Sequence, residues 1–151
     1  MAFVVLYDAW VLYPAPLRDL LIRLANTGIV RARWSATILD ECFRNILAKR
    51  PDLRPDALDR TRDLMRQAVP DCMVSGFEDL IEALELPDPD DRHVLAAAIR
   101  AGAQAIVTFN LADFPSEKLA SYNIEAKHPD DFVLDAIDLA PGLVTAVVSQ
   151  T

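Results

Sequence analysis

Strands alternating with helices predict an α/β fold with a mainly parallel central sheet. Two apolar runs carry that expectation. Phe3-Val4-Val5-Leu6-Tyr7 and Ala105-Ile106-Val107-Thr108-Phe109 are continuous and rich in β-formers, the pattern of strands buried on both faces. Amphipathic helical stretches lie between and after them, as βαβ units require. With 151 residues, 52% of them hydrophobic, the chain can bury a sizeable core and reads as one domain over residues 1–151.

Asp8 ends the first strand, and the chain turns at Tyr13-Pro14-Ala15-Pro16 into a helix over Leu17–Ala25 that Gly28 stops. Ile29 to Trp34 reads as a second, short strand. Ser35 is placed to cap a helix from Ala36 to Lys49, whose core stripe is Ile38, Leu39, Cys42, Phe43, Ile46 and Leu47, with Glu41 beside it. Pro51 ends that helix, and Pro55 to Val69 forms another. Asp71 to Val74 reads as a third strand and Phe77 to Leu84 as a short helix. A helix over Pro89–Ala101 leads into the Ala105–Phe109 strand. Asn110 to Pro115 is a loop, Tyr122 to Ala126 a last strand, and Pro129–Leu139 and Pro141–Val148 are closing helices.

The stretch Asp88-Pro89-Asp90-Asp91 opens the Pro89–Ala101 helix with more acids than a cap requires. Asp88 is a good N-cap, Pro89 suits the first position, and Gly102 is placed to stop the helix. Acids are welcome at the positive end of a helix dipole, so capping accounts for any one of them. Asp91 shares a stripe with Leu95 and Ala98, which leans its carboxylate toward the packed side, where it needs a partner. Asp90 has Val94 and Ala97 at the same spacings, so periodicity does not choose between the two acids.

Composition narrows the function. Twenty-three acids against 15 bases give a net charge of −8, which disfavours sequence-independent nucleic-acid binding through basic surface but leaves room for a site whose charge a metal inverts. No apolar run approaches the roughly 20 residues of a membrane span, and the start Met1 to Asp8 lacks signal-peptide features, so no membrane association and a cytoplasmic location are expected. Cys42 and Cys72 sit among apolar residues without metal spacing and read as buried thiols.

Ligands of open parallel sheets bind outside the carboxyl ends of the strands. Asp8 lies at that end of the first strand, and Asn110 and Asp113 lie just past that end of the Ala105–Phe109 strand. Topology brings neither Glu41, inside a helix, nor Asp91 to them. Asp91 opens the helix leading into the Ala105–Phe109 strand, which puts it near the opposite edge of the sheet unless the helix is short or tilted.

Four pieces in order resemble the PIN-domain family of metal-dependent ribonucleases, which includes the VapC-like toxins of toxin–antitoxin pairs. They are Val5-Leu6-Tyr7-Asp8, Ile38-Leu39-Asp40-Glu41, Asp91-Arg92-His93-Val94-Leu95-Ala96-Ala97-Ala98, and Val107-Thr108-Phe109-Asn110-Leu111-Ala112-Asp113-Phe114. The resemblance covers nearly the whole chain. It implies a three-layer α/β fold flanking the sheet with helices, with a core of about residues 1–128 and a C-terminal helical extension over 129–151. It gathers Asp8, Glu41, Asp91 and Asp113 into one acidic set supported by Thr108 and Asn110, and its spacing to Ala96, Ala98 and Gly102 selects Asp91 over Asp90.

Crowded carboxylates repel, and a hard divalent ion relieves them. An all-oxygen set suits Mg²⁺ or Mn²⁺ rather than Zn²⁺. Such an ion can activate water and stabilise the leaving oxygen of a phosphodiester. The resemblance thus implies an endoribonuclease acting on RNA, with Asp8 and Asp113 as direct ligands, Asp91 a ligand directly or through water, and Glu41 a ligand or the group that orients water. It also implies restraint by an antitoxin protein. Self-association is expected, with surplus apolar surface near the helices Leu17–Ala25 and Ala36–Lys49. The alternatives are a PIN-like interaction module that binds without cutting and, more weakly, a phosphotransfer or phosphatase domain built on Asp8. His93, two positions from Asp91, is expected to face away from it on the helix. Trp10 and Trp34 could stack on bases but are expected to be packing residues, and Arg18, Arg44 and Arg92 are the candidates for phosphate contact, with pairing to Asp88 at i+4 the equal alternative for Arg92.

Overall fold

The computed structural model describes residues 3–150. Its sheet has five parallel strands in the order β3-β2-β1-β4-β5. These are β1 (Phe3–Tyr7), β2 (Val30–Ser35), β3 (Met73–Val74), β4 (Ala105–Val107) and β5 (Glu125–Lys127). Val5 of β1 stands opposite Ala32 of β2 on one side and Ala105 of β4 on the other, so β1 is the centre of the fold. The fold is α/β, with helices α1 (Ala9–Leu12), α2 (Ala15–Asn26), α3 (Ala36–Lys49), α4 (Pro55–Ala68), α5 (Glu78–Ile81), α6 (Arg92–Ala101), α7 (Ser116–Leu119), α8 (Pro129–Leu139) and α9 (Pro141–Gln150) around the sheet.

The strand order dictates three layers. From β1 the chain steps outward to β2 and β3, then crosses back to β4 and β5 on the other side. Right-handed crossovers place the helices of these two legs on opposite faces. Tyr7 marks the first face: it stacks on Trp34 at 6.3 Å, meets the Phe132 ring of α8 edge-on at 6.0 Å, and donates its hydroxyl hydrogen to the Leu21 carbonyl of α2 at 3.0 Å. Burial pushes the Tyr7 phenol far above its ordinary pKa. On the second face, α6 packs across β1, β2, β3 and β4 with Val94 to Ala98 fully buried. Cys42 and Cys72 are buried free thiols.

Local chemistry accounts for most boundaries. The Ser35 hydroxyl accepts the Ile38 N–H at 3.0 Å and starts α3. Gly102, at φ 67°, closes α6: its N–H reaches the Ile99 carbonyl, and Ala103 N–H reaches that of Ala98. α2 begins at Ala15, two residues before the expected start, because Pro16 is tolerated in a first turn. The expected helix over Phe77–Leu84 shrinks to the single turn of α5, and β4 stops at Val107 instead of Phe109. The exposed large apolar residues include Trp10, Leu64, Phe109, Leu134 and Leu139, and among the described residues none lies on α2 or α3, where surplus apolar surface was expected. No described helix is long and apolar enough to cross a membrane.

Candidate active site

The site grows from the seam between β1 and β4, where the two legs of the chain diverge from the sheet centre. Asp8 follows β1 directly. Its N–H donates to the Val107 carbonyl at 3.1 Å, which stitches it to the end of β4. The residue is 5% exposed and its carboxylate is held at both oxygens: Oδ1 accepts the Ala9 N–H at 2.7 Å and Oδ2 accepts the Thr108 hydroxyl hydrogen at 2.9 Å. Thr108, fully buried, in turn accepts the Asn110 N–H at 3.1 Å, which fixes the loop that carries Asp113.

A cavity of about 610 Å³ opens above this seam. Asp8, Glu41, Asp91, Asn110 and Asp113 all line it, together with Trp10, Arg44, Asp88, Asp90 and His93. Thr108 stands behind the wall, through its bond to Asp8.

Asp91 reaches the cavity because a helix feeding a parallel strand runs antiparallel to it. α6 ends where β4 begins, at the amino edge of the sheet, so it starts at the carboxyl edge. The expectation that Asp91 sits near the opposite edge is therefore corrected. The expected uninterrupted helix over Pro89–Ala101 is a 3-10 turn over Pro89–Asp91 followed by α6. Asp88 caps the turn, its carboxylate accepting the Asp90 N–H at 2.9 Å. Asp91 stands at the N-cap position of α6 without making a side-chain cap bond, so capping does not use its carboxylate. Asp90 is exposed, whereas Asp91 is half-buried.

Electrostatics binds these acids into one unit. The Asp91 carboxyl is pushed up to about 7, first by burial and then by the charges of Asp88, Asp8, Asp113 and Glu41. Burial also raises Asp8, the Thr108 and Ala9 hydrogen bonds pull it back, Glu41 raises it again, and His93 lowers it. Among the described residues, no Lys or Arg forms an ion pair with Asp8, Asp88, Asp90, Asp91 or Asp113. Elsewhere on the surface acids do find bases, as Asp40 finds Arg62 at 2.8 Å. A cluster of carboxylate oxygens around the buried Asp8, with no Lys or Arg paired to it among the described residues, is the chemistry that a hard divalent cation fits. Among the described residues no three His, Cys, Asp or Glu side chains are grouped tightly enough to hold an ion as they stand.

His93 corrects the second expectation. It lines the same cavity as Asp91, with Nε2 3.5 Å from Oε2 of Glu41 and a buried Nδ1 that has no hydrogen-bond partner. The helical-wheel argument failed because Asp91 belongs to the 3-10 turn, where the α-helical rotation per residue does not apply. Sequence reasoning also missed α1, the one-turn helix that Asp8 caps and that turns Trp10 into the cavity wall. Trp34 is a fully buried packing residue, as expected, but Trp10 is 40% exposed. Arg18 and Arg92 are tied to backbone carbonyls, of Leu12 and Tyr13 and of Pro89 respectively, which leaves Arg44 on the cavity.

The family model described as PIN domain matches residues 4–112, the stretch that carries β1, α3, α6, β4 and four of the five acids and amides facing the cavity seam. The chain belongs to the PIN-domain family. A protein of Mycobacterium tuberculosis (strain ATCC 25618 / H37Rv) named "Putative ribonuclease VapC50" is 51% identical over 73 residues. That match takes in 48% of this chain and 43% of that protein, so it spans less than half the relative's length. No solved structure matches. Asp113 lies one residue beyond the matched stretch and lines the cavity with the other acids.

Proposed function

We propose that this PIN domain is a Mg²⁺- or Mn²⁺-dependent endoribonuclease. One observation carries the reading: the buried, Thr108-held carboxylate of Asp8 opens onto a cavity with Glu41, Asp91 and Asp113, and among the described residues no Lys or Arg forms an ion pair with any of the four. The relative named a ribonuclease supports the choice of RNA as substrate.

Asp8, Asp91 and Asp113 are the side chains we assign to hold the cation, with Glu41 as a further ligand or as the group that orients water. The chemistry supplied by a bound Mg²⁺ or Mn²⁺ is a lowered pKa for water and charge stabilisation at phosphate. In hydrolysis water adds to phosphorus, one P–O ester bond breaks, and the leaving oxygen takes a proton. Thr108 keeps Asp8 fixed and ionisable, and Asn110 is held by Thr108 at the cavity rim. Glu41, with Oε2 3.5 Å from His93 Nε2, is the residue we assign to orient the attacking water and take its proton when it is not itself a ligand.

In this reading the enzyme acts in the cytoplasm, and an antitoxin protein or self-association restrains it, because a free RNA-cutting enzyme endangers its own cell. Incubation with a mixed RNA pool tests the reading. Fragments that appear with Mn²⁺ and disappear with chelator are expected, whereas an intact pool under both conditions favours the interaction module.

A further inference from the structure

We propose that Trp10 and Arg44 form a single-stranded RNA subsite on the wall of the acid cavity, the indole carrying a base and the guanidinium an adjacent phosphate. The proposal rests on the ribonuclease reading. It names how the substrate is gripped next to the carboxylates.

Four acids and their like-charged rim repel a polyanion, so the strand needs grip from residues that are not acids. Two residues lining the cavity offer it. Trp10 is 40% exposed, on a one-turn helix that Asp8 itself caps, and leans on Tyr13 with ring centroids 5.3 Å apart. An indole left open beside a polar cavity loses apolar burial, and base stacking recovers it for any of the four bases. Arg44 is exposed on α3, one turn beyond Asp40 and Glu41, and among the described residues is the sole Lys or Arg lining the acid cavity. No described acid pairs with it, while Arg62 nearby is spent on Asp40 and on the Phe43 ring, 5.3 Å away.

The two residues come from helices that pack on each other, α1 and α3. Arg44 and Thr37 also line a second hollow of about 520 Å³ between α3 and α4. The acid cavity and that hollow therefore meet at Arg44. A strand can pass from the carboxylates over the guanidinium into it, as single strands follow grooves that combine aromatic platforms with cationic side chains.

Tryptophan fluorescence tests this directly, because the other tryptophan, Trp34, is fully buried in the core. A six-nucleotide single-stranded RNA is titrated into the Asp113→Asn protein with Mg²⁺ present, so that the strand stays uncut. Affinity is read in parallel by anisotropy of the same RNA carrying fluorescein. The expected result is quenched emission. In Trp10→Phe the quench disappears while the Kd stays within about threefold. Trp10→Ala raises the Kd at least about fivefold. Arg44→Ala reduces the slope of log K against log salt by about 0.7, one phosphate contact on a single strand. Emission untouched by bound RNA, a quench that persists in Trp10→Phe, or Trp10→Ala binding as tightly as its parent overturns the subsite. An indole reserved for a protein partner gives the first of these. Cleavage of the mixed RNA pool by the unsubstituted protein separates the two levels. If it cuts and the subsite variants bind normally, only the subsite falls. If it neither binds nor cuts, both fall.

Discussion

Thr108 donates its hydroxyl hydrogen to Oδ2 of Asp8 across 2.9 Å, joining residues one hundred positions apart in the chain. The bond crosses the seam of β1 and β4 and is the keystone of the acid cavity. It holds the most buried acid of the cluster ionisable against the desolvation that raises its pKa. Thr108→Val removes the donor at nearly constant volume and leaves both the Asp8 carboxylate and the Asn110 N–H short of a partner. A loss of about 1–3 kcal/mol in denaturant unfolding is expected. Thr108→Ser, which keeps the hydroxyl, should recover most of it.

The pH dependence of the metal-free protein follows from Asp91. Its folded carboxyl titrates near 7, above the ordinary value near 3.9 of an unfolded chain. Between those values the folded state holds a proton that the unfolded state has released. The associated stability is complete below about pH 4 and is lost as pH rises through about 7. Asp8 is shifted in the same direction. In chelator, the thermal midpoint should fall from pH 5 to pH 8, and Asp91→Asn should flatten that fall. A midpoint that climbs over the same range contradicts the clustering of these carboxylates.

Gly102 provides a control in which stability changes without touching the site. A Cβ there meets nothing within 4 Å, so the cost of Gly102→Ala is conformational strain at φ 67° alone. About 1–2 kcal/mol is expected for a non-glycine residue in that region. The midpoint shift on adding Mn²⁺ should survive this substitution, since α6 keeps its start beside the cavity.

How much of this was legible depends on how local the signal is. The strand Phe3–Tyr7 and the helix Ala36–Lys49 appear where the residues predict them, since an apolar run and a serine cap act over a few positions. The acids at strand ends were equally readable, because Asp8 and Asp113 follow strands that neighbour each other. Topology alone misplaces Asp91 by an error of direction, which the family spacing avoids, and the helical wheel misplaces His93 by treating a 3-10 turn as α-helix. α1 escaped altogether: four residues between a strand and two prolines give no periodicity, and only the cap by Asp8 marks it. Trp10 followed it out of view, since exposure at a cavity rim is set by tertiary packing that a single indole in a sequence does not announce.

Paired activity and stability of Asp91→Asn test the central claim most directly, that these carboxylates exist to hold a cation and not to cap a helix. The amide is nearly isosteric but neutral, and Asp91 makes no cap bond to lose. The account predicts RNA cleavage abolished, a smaller midpoint rise with Mn²⁺, and metal-free stability unchanged or higher, because repulsion from Asp88, Asp8, Asp113 and Glu41 is relieved. Cleavage at the parent rate, together with a stability loss of about 1 kcal/mol as for a truncated cap, would contradict it.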